Sequence, residues 1–108
     1  SYTDLVRMAG FNRVETKNTL PDLLGKAPEI MGDSLTDDSM YQSLNAFLKN
    51  RDENQPFFLV MYTVGTHAGM DIPADGESYG DGSNPTLNTL HNVDAAFGRF
   101  WREFQASP

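Results

Sequence analysis

The sequence contains no cysteine. That removes disulfides, thiolate nucleophiles and cysteine-ligated zinc from consideration. It also lacks a base excess. Eight lysines and arginines face fifteen acids, for a formal charge of −7. A binder of nucleic acid needs a basic surface to neutralise phosphates, and an anionic membrane surface makes the same demand. The charge argues against both partners. No apolar run approaches the ~20 residues that cross a bilayer, so the segment inserts into no membrane directly. No signal-peptide pattern opens it and no internal repeat is visible.

What is present suits one small α/β unit. The 108 residues suffice for one core, and 39% apolar with 11% aromatic residues is an ordinary globular balance. "SYTDLVRMAG" predicts a short helix, with Leu5, Met8 and Ala9 on one side, Thr3 as a cap and Gly10 as a stop. "FNRVET" suggests a short strand. Residues 16–33 carry Pro21, Gly25, Pro28 and Gly32 and read as loop, with one helical turn at "PDLLG".

"GDSLTDDSMYQSLNAFLKNRD" predicts a helix over about 36–50, capped by Ser34 or Thr36. Asp37 and Asp38 suit its positive end, and Lys49 and Arg51 its negative end. Met40, Leu44, Phe47 and Leu48 form its expected buried face. "PFFLVMYTV", residues 56–64, is apolar without alternation. That pattern predicts a central strand covered on both faces, as in a parallel sheet between helices. "NPTLNTLHNVDAAFGRFWREFQ" predicts a second long helix over about 85–105. Asn84 is its cap, Pro85 its first residue, and Leu87, Leu90, Val93, Phe97, Phe100, Trp101 and Phe104 its apolar stripe. The long glycine-rich connection between strand and helix is of the kind that carries function or moves.

His67 is the leading candidate for chemistry. In open α/β sheets, ligands sit off the carboxyl ends of strands, and His67 lies just past 56–64. Gly65 and Gly69 permit close backbone approach and Thr66 adds a hydroxyl. An imidazole there can hold an oxyanion or pass a proton to a leaving oxygen; the structural alternative is a loop histidine bonded to a carbonyl. His91, inside the last helix, reads as a helix-face residue able to bond Asp94 at i, i+3. The acids at 71, 75, 77 and 81 miss the alternating spacing of a calcium loop. Arg13 is the basic residue considered as an anion partner for His67. No Ser-His-Asp set, phosphate loop or metal-ligand cluster is legible.

Four stretches, in order, resemble one family. "NQPFFLVMYTVGTHAGMDIP" is similar to the segment P-F-F-x-x-x-x-T-x-x-T-H-x-P-F-x-x-P of lipoteichoic-acid-synthase-like and phosphoglycerol-transferase-like proteins, in the sulfatase branch of the alkaline phosphatase superfamily. Pro56, Phe57, Phe58, Thr63, Thr66, His67 and Pro73 match, and Gly69-Met70 replaces Pro-Phe. "MGDSLTDDSMYQSLNAFL" resembles W-G-x-S-D-x-x-L-F-x-x-A-L-x-x-L, with Gly32 and Asp37 in register and Met31 replacing tryptophan. "LNTLHNVDAAFGRFWREF" matches a third helix pattern at Asp94, Ala96 and Gly98, with His91 and Val93 near the usual tyrosine and its neighbour, and "RMAGFNRV" matches a short strand entry.

The resemblance implies a partial alkaline-phosphatase-like α/β unit, an internal piece of a larger catalytic domain. It implies that His67, with Thr66, contacts the phosphate or sulfate ester of a substrate. It implies a divalent metal (Mn, Mg or Ca) in the larger enzyme, bound by residues outside this stretch together with the nucleophile. Phosphoglycerol, phosphoethanolamine and sulfate esters are the expected substrates. The enzyme is expected to be extracytoplasmic and membrane-anchored, with the 108-residue piece inactive by itself and prone to self-association. The competing expectation is a non-catalytic acidic α/β interaction module.

Overall fold

The computed structural model describes residues 2–67, 71–74 and 76–107. The elements are α1 (Tyr2–Met8), α2 (Leu20–Leu24), β1 (Ile30–Met31), β2 (Ser34–Leu35), α3 (Asp37–Asn50) and α4 (Pro85–Ala106). The two strands form a small antiparallel hairpin, with Ile30 opposite Leu35 and Met31 opposite Ser34. This mixture of helices with a small sheet is consistent with a partial α/β unit.

The caps follow the sequence closely. Thr36 Oγ1 accepts the Ser39 amide at 3.2 Å and starts α3. Asn84 Oδ1 accepts the Leu87 amide at 3.1 Å, with Pro85 as the first residue of α4. Gly25 ends α2 at φ 74°, a left-handed value that glycine adopts without Cβ strain. α1 begins at Tyr2, which puts Thr3 inside the helix rather than at its cap. "FNRVET" forms no strand, and the hairpin at 30–35 arises inside the stretch expected to be loop.

The segment 56–64 departs most from expectation. It is extended, yet it makes no ladder with another strand among the described residues. Nor is it a buried central strand. Phe57 is 51% exposed, Phe58 80%, Leu59 38%, Val60 65% and Tyr62 71%. The exposures rise and fall with period two, which is what a strand conformation imposes on side chains. The less exposed side leans on α3, where the Phe57 and Phe47 rings meet edge to face at 5.5 Å. The other side, Phe58, Val60 and Tyr62, stays open apart from Phe58 against Phe11 at 6.1 Å.

The helix faces are also not the apolar ones expected. α3 buries Asp37, Ser39, Ser43 and Asn45, and α4 buries Asn88, Thr89, Asn92 and Ala96. Met40, Leu44, Phe47 and Leu48 are only half-buried, while Phe97, Trp101 and Phe104 of the stripe are more than 40% exposed. Small side chains bring the two helices together, and aromatic rings close the seam from outside. Tyr41 stacks on Phe100 at 5.2 Å and meets Phe97 at 5.9 Å. Burial, then the charge of Asp37, holds the Tyr41 phenol above its ordinary range. Ion pairs tie the same seam: Arg99 grips Asp38 through two bonds of 2.9 and 2.7 Å, and Lys49 meets Glu103 at 2.8 Å. The hydrogen bond to Asp38 raises the pKa of Arg99, and the one from Lys49 lowers that of Glu103.

Candidate functional site: the turn carrying His67

The extended segment ends in a tight turn, closed by the His67 amide donating to the Val64 carbonyl at 2.9 Å. His67 and Thr66 are exposed, whereas Gly65 between them and the strand is buried. Gly65 is held from outside the turn. Its amide donates to Asp37 Oδ1 at 3.0 Å, across 28 residues of sequence. The fit leaves no room for a side chain. A Cβ on Gly65 would lie 2.5 Å from Asp37 Oδ2 and 2.6 Å from Val93 Cγ2. The turn is therefore wedged between the first residue of α3 and the middle of α4.

Asp37 is 4% exposed. Its Oδ2 has no hydrogen-bond partner among the described residues. Burial pushes the carboxyl pKa up from the ordinary 3.8, with the Asp38 charge as a lesser contribution in the same direction; the Gly65 and Val64 amides oppose it. The sign for stability follows. A carboxyl with a raised folded-state pKa favours the fold while protonated. That contribution is present below the unfolded pKa and fades as pH rises through the folded value. Asp37→Asn keeps an acceptor for Gly65 and removes the titration. We expect the urea stability of Asp37→Asn relative to wild type to increase as pH is raised from about 3.5 to 7. A difference independent of pH would show that Asp37 titrates as it does in the unfolded chain.

The chain between the turn and α4 is pinned by two buried asparagines. Asn92 Oδ1 accepts the Glu77 amide at 3.0 Å, Asn88 Oδ1 accepts the Tyr79 amide at 2.9 Å, and Asn88 Nδ2 donates to the Gly82 carbonyl at 3.0 Å. Glu77 then reaches Arg99 at 3.2 Å and lies 3.6 Å from His91 Nε2. Sequence reasoning missed this clamp. Its signal was two asparagines four residues apart on one face of an otherwise apolar helix, where asparagine is a poor helix former.

The other candidates resolve individually. Arg13 pairs with Glu15 at 2.8 Å and lies over the Phe47 ring at 5.4 Å. His91 faces Glu77 and the Tyr79 ring rather than Asp94. Asp71 and Asp81 accept the nearby amides of Ile72 and Ser83, as solvated turn residues do. Gly69 lies outside the described residues. Among the described residues no group of three His, Asp or Glu side chains could hold a metal ion.

The sulfatase family model matches residues 3–108. The chain belongs to the sulfatase family. No curated protein and no solved structure matches it significantly. The match spans almost the whole chain, so every element described above lies within sulfatase-family sequence, including the latch between Asp37 and Gly65. Among the described residues no helix of this sulfatase-family chain is long and apolar enough to cross a membrane.

Proposed function

We propose that this chain is the part of a sulfatase-type enzyme that presents His67 to the anionic group of an ester substrate. The type we favour is a phosphoglycerol or phosphoethanolamine transferase of the lipoteichoic-acid-synthase kind, extracytoplasmic and membrane-anchored as a whole. A sulfate-ester hydrolase is the neighbouring possibility within the family. The observation that carries this reading is the turn itself: in a chain of this family, an exposed Thr66-His67 step follows a buried glycine at the end of an extended segment.

An imidazole N–H at that point can donate to a non-bridging phosphate or sulfate oxygen. In its protonated form it can hand a proton to a departing alkoxide. The Thr66 hydroxyl supplies a second donor beside it. Nucleophile and metal ligands are expected elsewhere in the enzyme, so the chain's own contribution is binding and charge placement rather than turnover.

The test is a titration of the 108-residue chain with inorganic phosphate, glycerol phosphate and sulfate, read on the ring signals of both histidines. We expect saturable shifts at His67 in the millimolar range, a still His91, and no response from His67→Ala. A flat His67 signal, or equal movement of both rings, would reject this reading.

A further inference from the structure

We propose that Asp37 is the positioning residue of the site: its carboxylate, acting through the Gly65 amide, sets the orientation of the Val64–His67 turn and so of the His67 ring. This rests on the reading of His67 as the anion contact. Asp37 itself touches no substrate in this scheme.

Three observations support the assignment. First, the Asp37 carboxylate is not needed to cap its own helix. Thr36 fills that role through Ser39, and Asp38 supplies acid to the same turn. Asp37 instead turns one oxygen to an amide 28 residues away, and its other oxygen is buried with no hydrogen-bond partner among the described residues. A buried carboxylate with an unsatisfied oxygen is an unfavourable choice for stability alone.

Second, the base from which it reaches is braced. The Thr36 amide donates to the Glu29 carbonyl at 3.0 Å, and the Glu29 amide donates to Ser39 Oγ at 2.8 Å. The start of α3 is thereby stitched to the strand β1 side of the hairpin, so the carboxylate sits at a defined point. Third, the receiving residue has no slack. Gly65 is caught between Asp37 and Val93 with no space for a methyl group. His67 follows two residues later, inside a turn closed by its own amide. A rotation at Gly65 is therefore passed directly to the imidazole, and small misplacements of a contacting group cost much of its effect.

The experiment compares Asp37→Ala, Asp37→Ser, Asp37→Asn and the neighbour control Asp38→Ala in the 108-residue chain. Far-UV circular dichroism checks the helices first. Asp37→Ser retains a side chain well suited to the first turn of a helix but too short for Gly65, so it serves if Asp37→Ala fails to fold. Two signals are then read: exchange protection of the Gly65 amide, with the nuclear Overhauser contacts of the Val64–His67 turn, and the phosphate affinity at the His67 ring.

We expect Asp37→Ala and Asp37→Ser to lose Gly65 protection and to weaken phosphate binding by about tenfold or more. Asp37→Asn, which still offers an acceptor, should restore both, and Asp38→Ala should leave both unchanged. An unchanged turn in Asp37→Ala or Asp37→Ser, or an Asp37→Asn as impaired as they are, overturns the proposal. If wild type binds no phosphate, the reading of His67 fails, and the Gly65 protection and turn contacts alone decide whether Asp37 positions the turn.

Discussion

Gly65→Ala is expected to destabilise the chain by about 2–4 kcal/mol and to detach the His67 turn from α3. The methyl group would sit 2.5 Å from a carboxylate oxygen and 2.6 Å from a valine methyl, closer than any real contact. Overpacking of that kind costs about 1–3 kcal/mol. Relief by moving the turn outward breaks the 3.0 Å bond to Asp37, a hydrogen bond to a buried carboxylate worth about 1.5–3 kcal/mol. Against these stands the gain from a stiffer unfolded chain, about 0.4–1 kcal/mol for glycine to alanine. The losses exceed the gain by severalfold. Domains of this size are stable by only about 5–15 kcal/mol, so the shift consumes a large share. Unfolding should begin at lower urea than in wild type, and the Gly65 amide should lose exchange protection. A variant as stable as wild type would mean that the turn is free to relax and the latch is not part of the fold.

The second large effect concerns association. The chain exposes 7637 Å². A compact monomer of its 12.0 kDa would expose about 6,000 Å². Its radius of gyration is 15.1 Å, against about 13 Å for a compact domain of this length. The surplus of roughly 1,600 Å² equals the total surface that a standard protein–protein complex buries. Much of it is apolar, at Phe58, Val60 and Tyr62 on the open side of the extended segment and along the half-covered aromatic row of α4. Only Leu20, Leu35 and Ala96 are buried apolar residues among those described, so the interior supplies little to oppose chain entropy.

An uncharged segment that makes no ladder among the described residues is also a template for strand pairing. The 108-residue chain is therefore expected to self-associate at micromolar concentration and to unfold over a broad transition. Sedimentation velocity across a concentration series reads the first, and a thermal scan by two probes reads the second. Phe58→Lys with Tyr62→Lys places charge on the open side without touching the Phe57–Phe47 contact and should return the chain to monomer. A wild-type monomer with one sharp, coincident transition would show that the exposed surface needs no partner.

The two long helices and their starts were legible in the sequence, because caps act locally. Thr36, Asn84 and Pro85 satisfy or remove the first free amides whatever the rest of the chain does. The buried central strand expected at 56–64 was not legible: its aromatic and β-branched residues favour extension, but among the described residues the segment pairs with no strand and shows one side to solvent. The membership of the sulfatase family, borne by the order of motifs along the chain, agrees with the family match over residues 3–108.

Burial was decided elsewhere. An apolar stripe reports what a helix could cover, not what neighbours are available to cover it, so the α4 stripe lies half open while Asn88, Asn92 and Ala96 take the interior. The same holds for 56–64, which is extended as its residues dictate but lacks flanking strands among the described residues and so shows one side to solvent. Asp37 illustrates the limit most clearly. In the sequence it is one of two acids at a helix start. Only the tertiary structure brings it against an amide 28 residues later, because the geometry of that contact depends on α3, α4 and the turn being packed together at once.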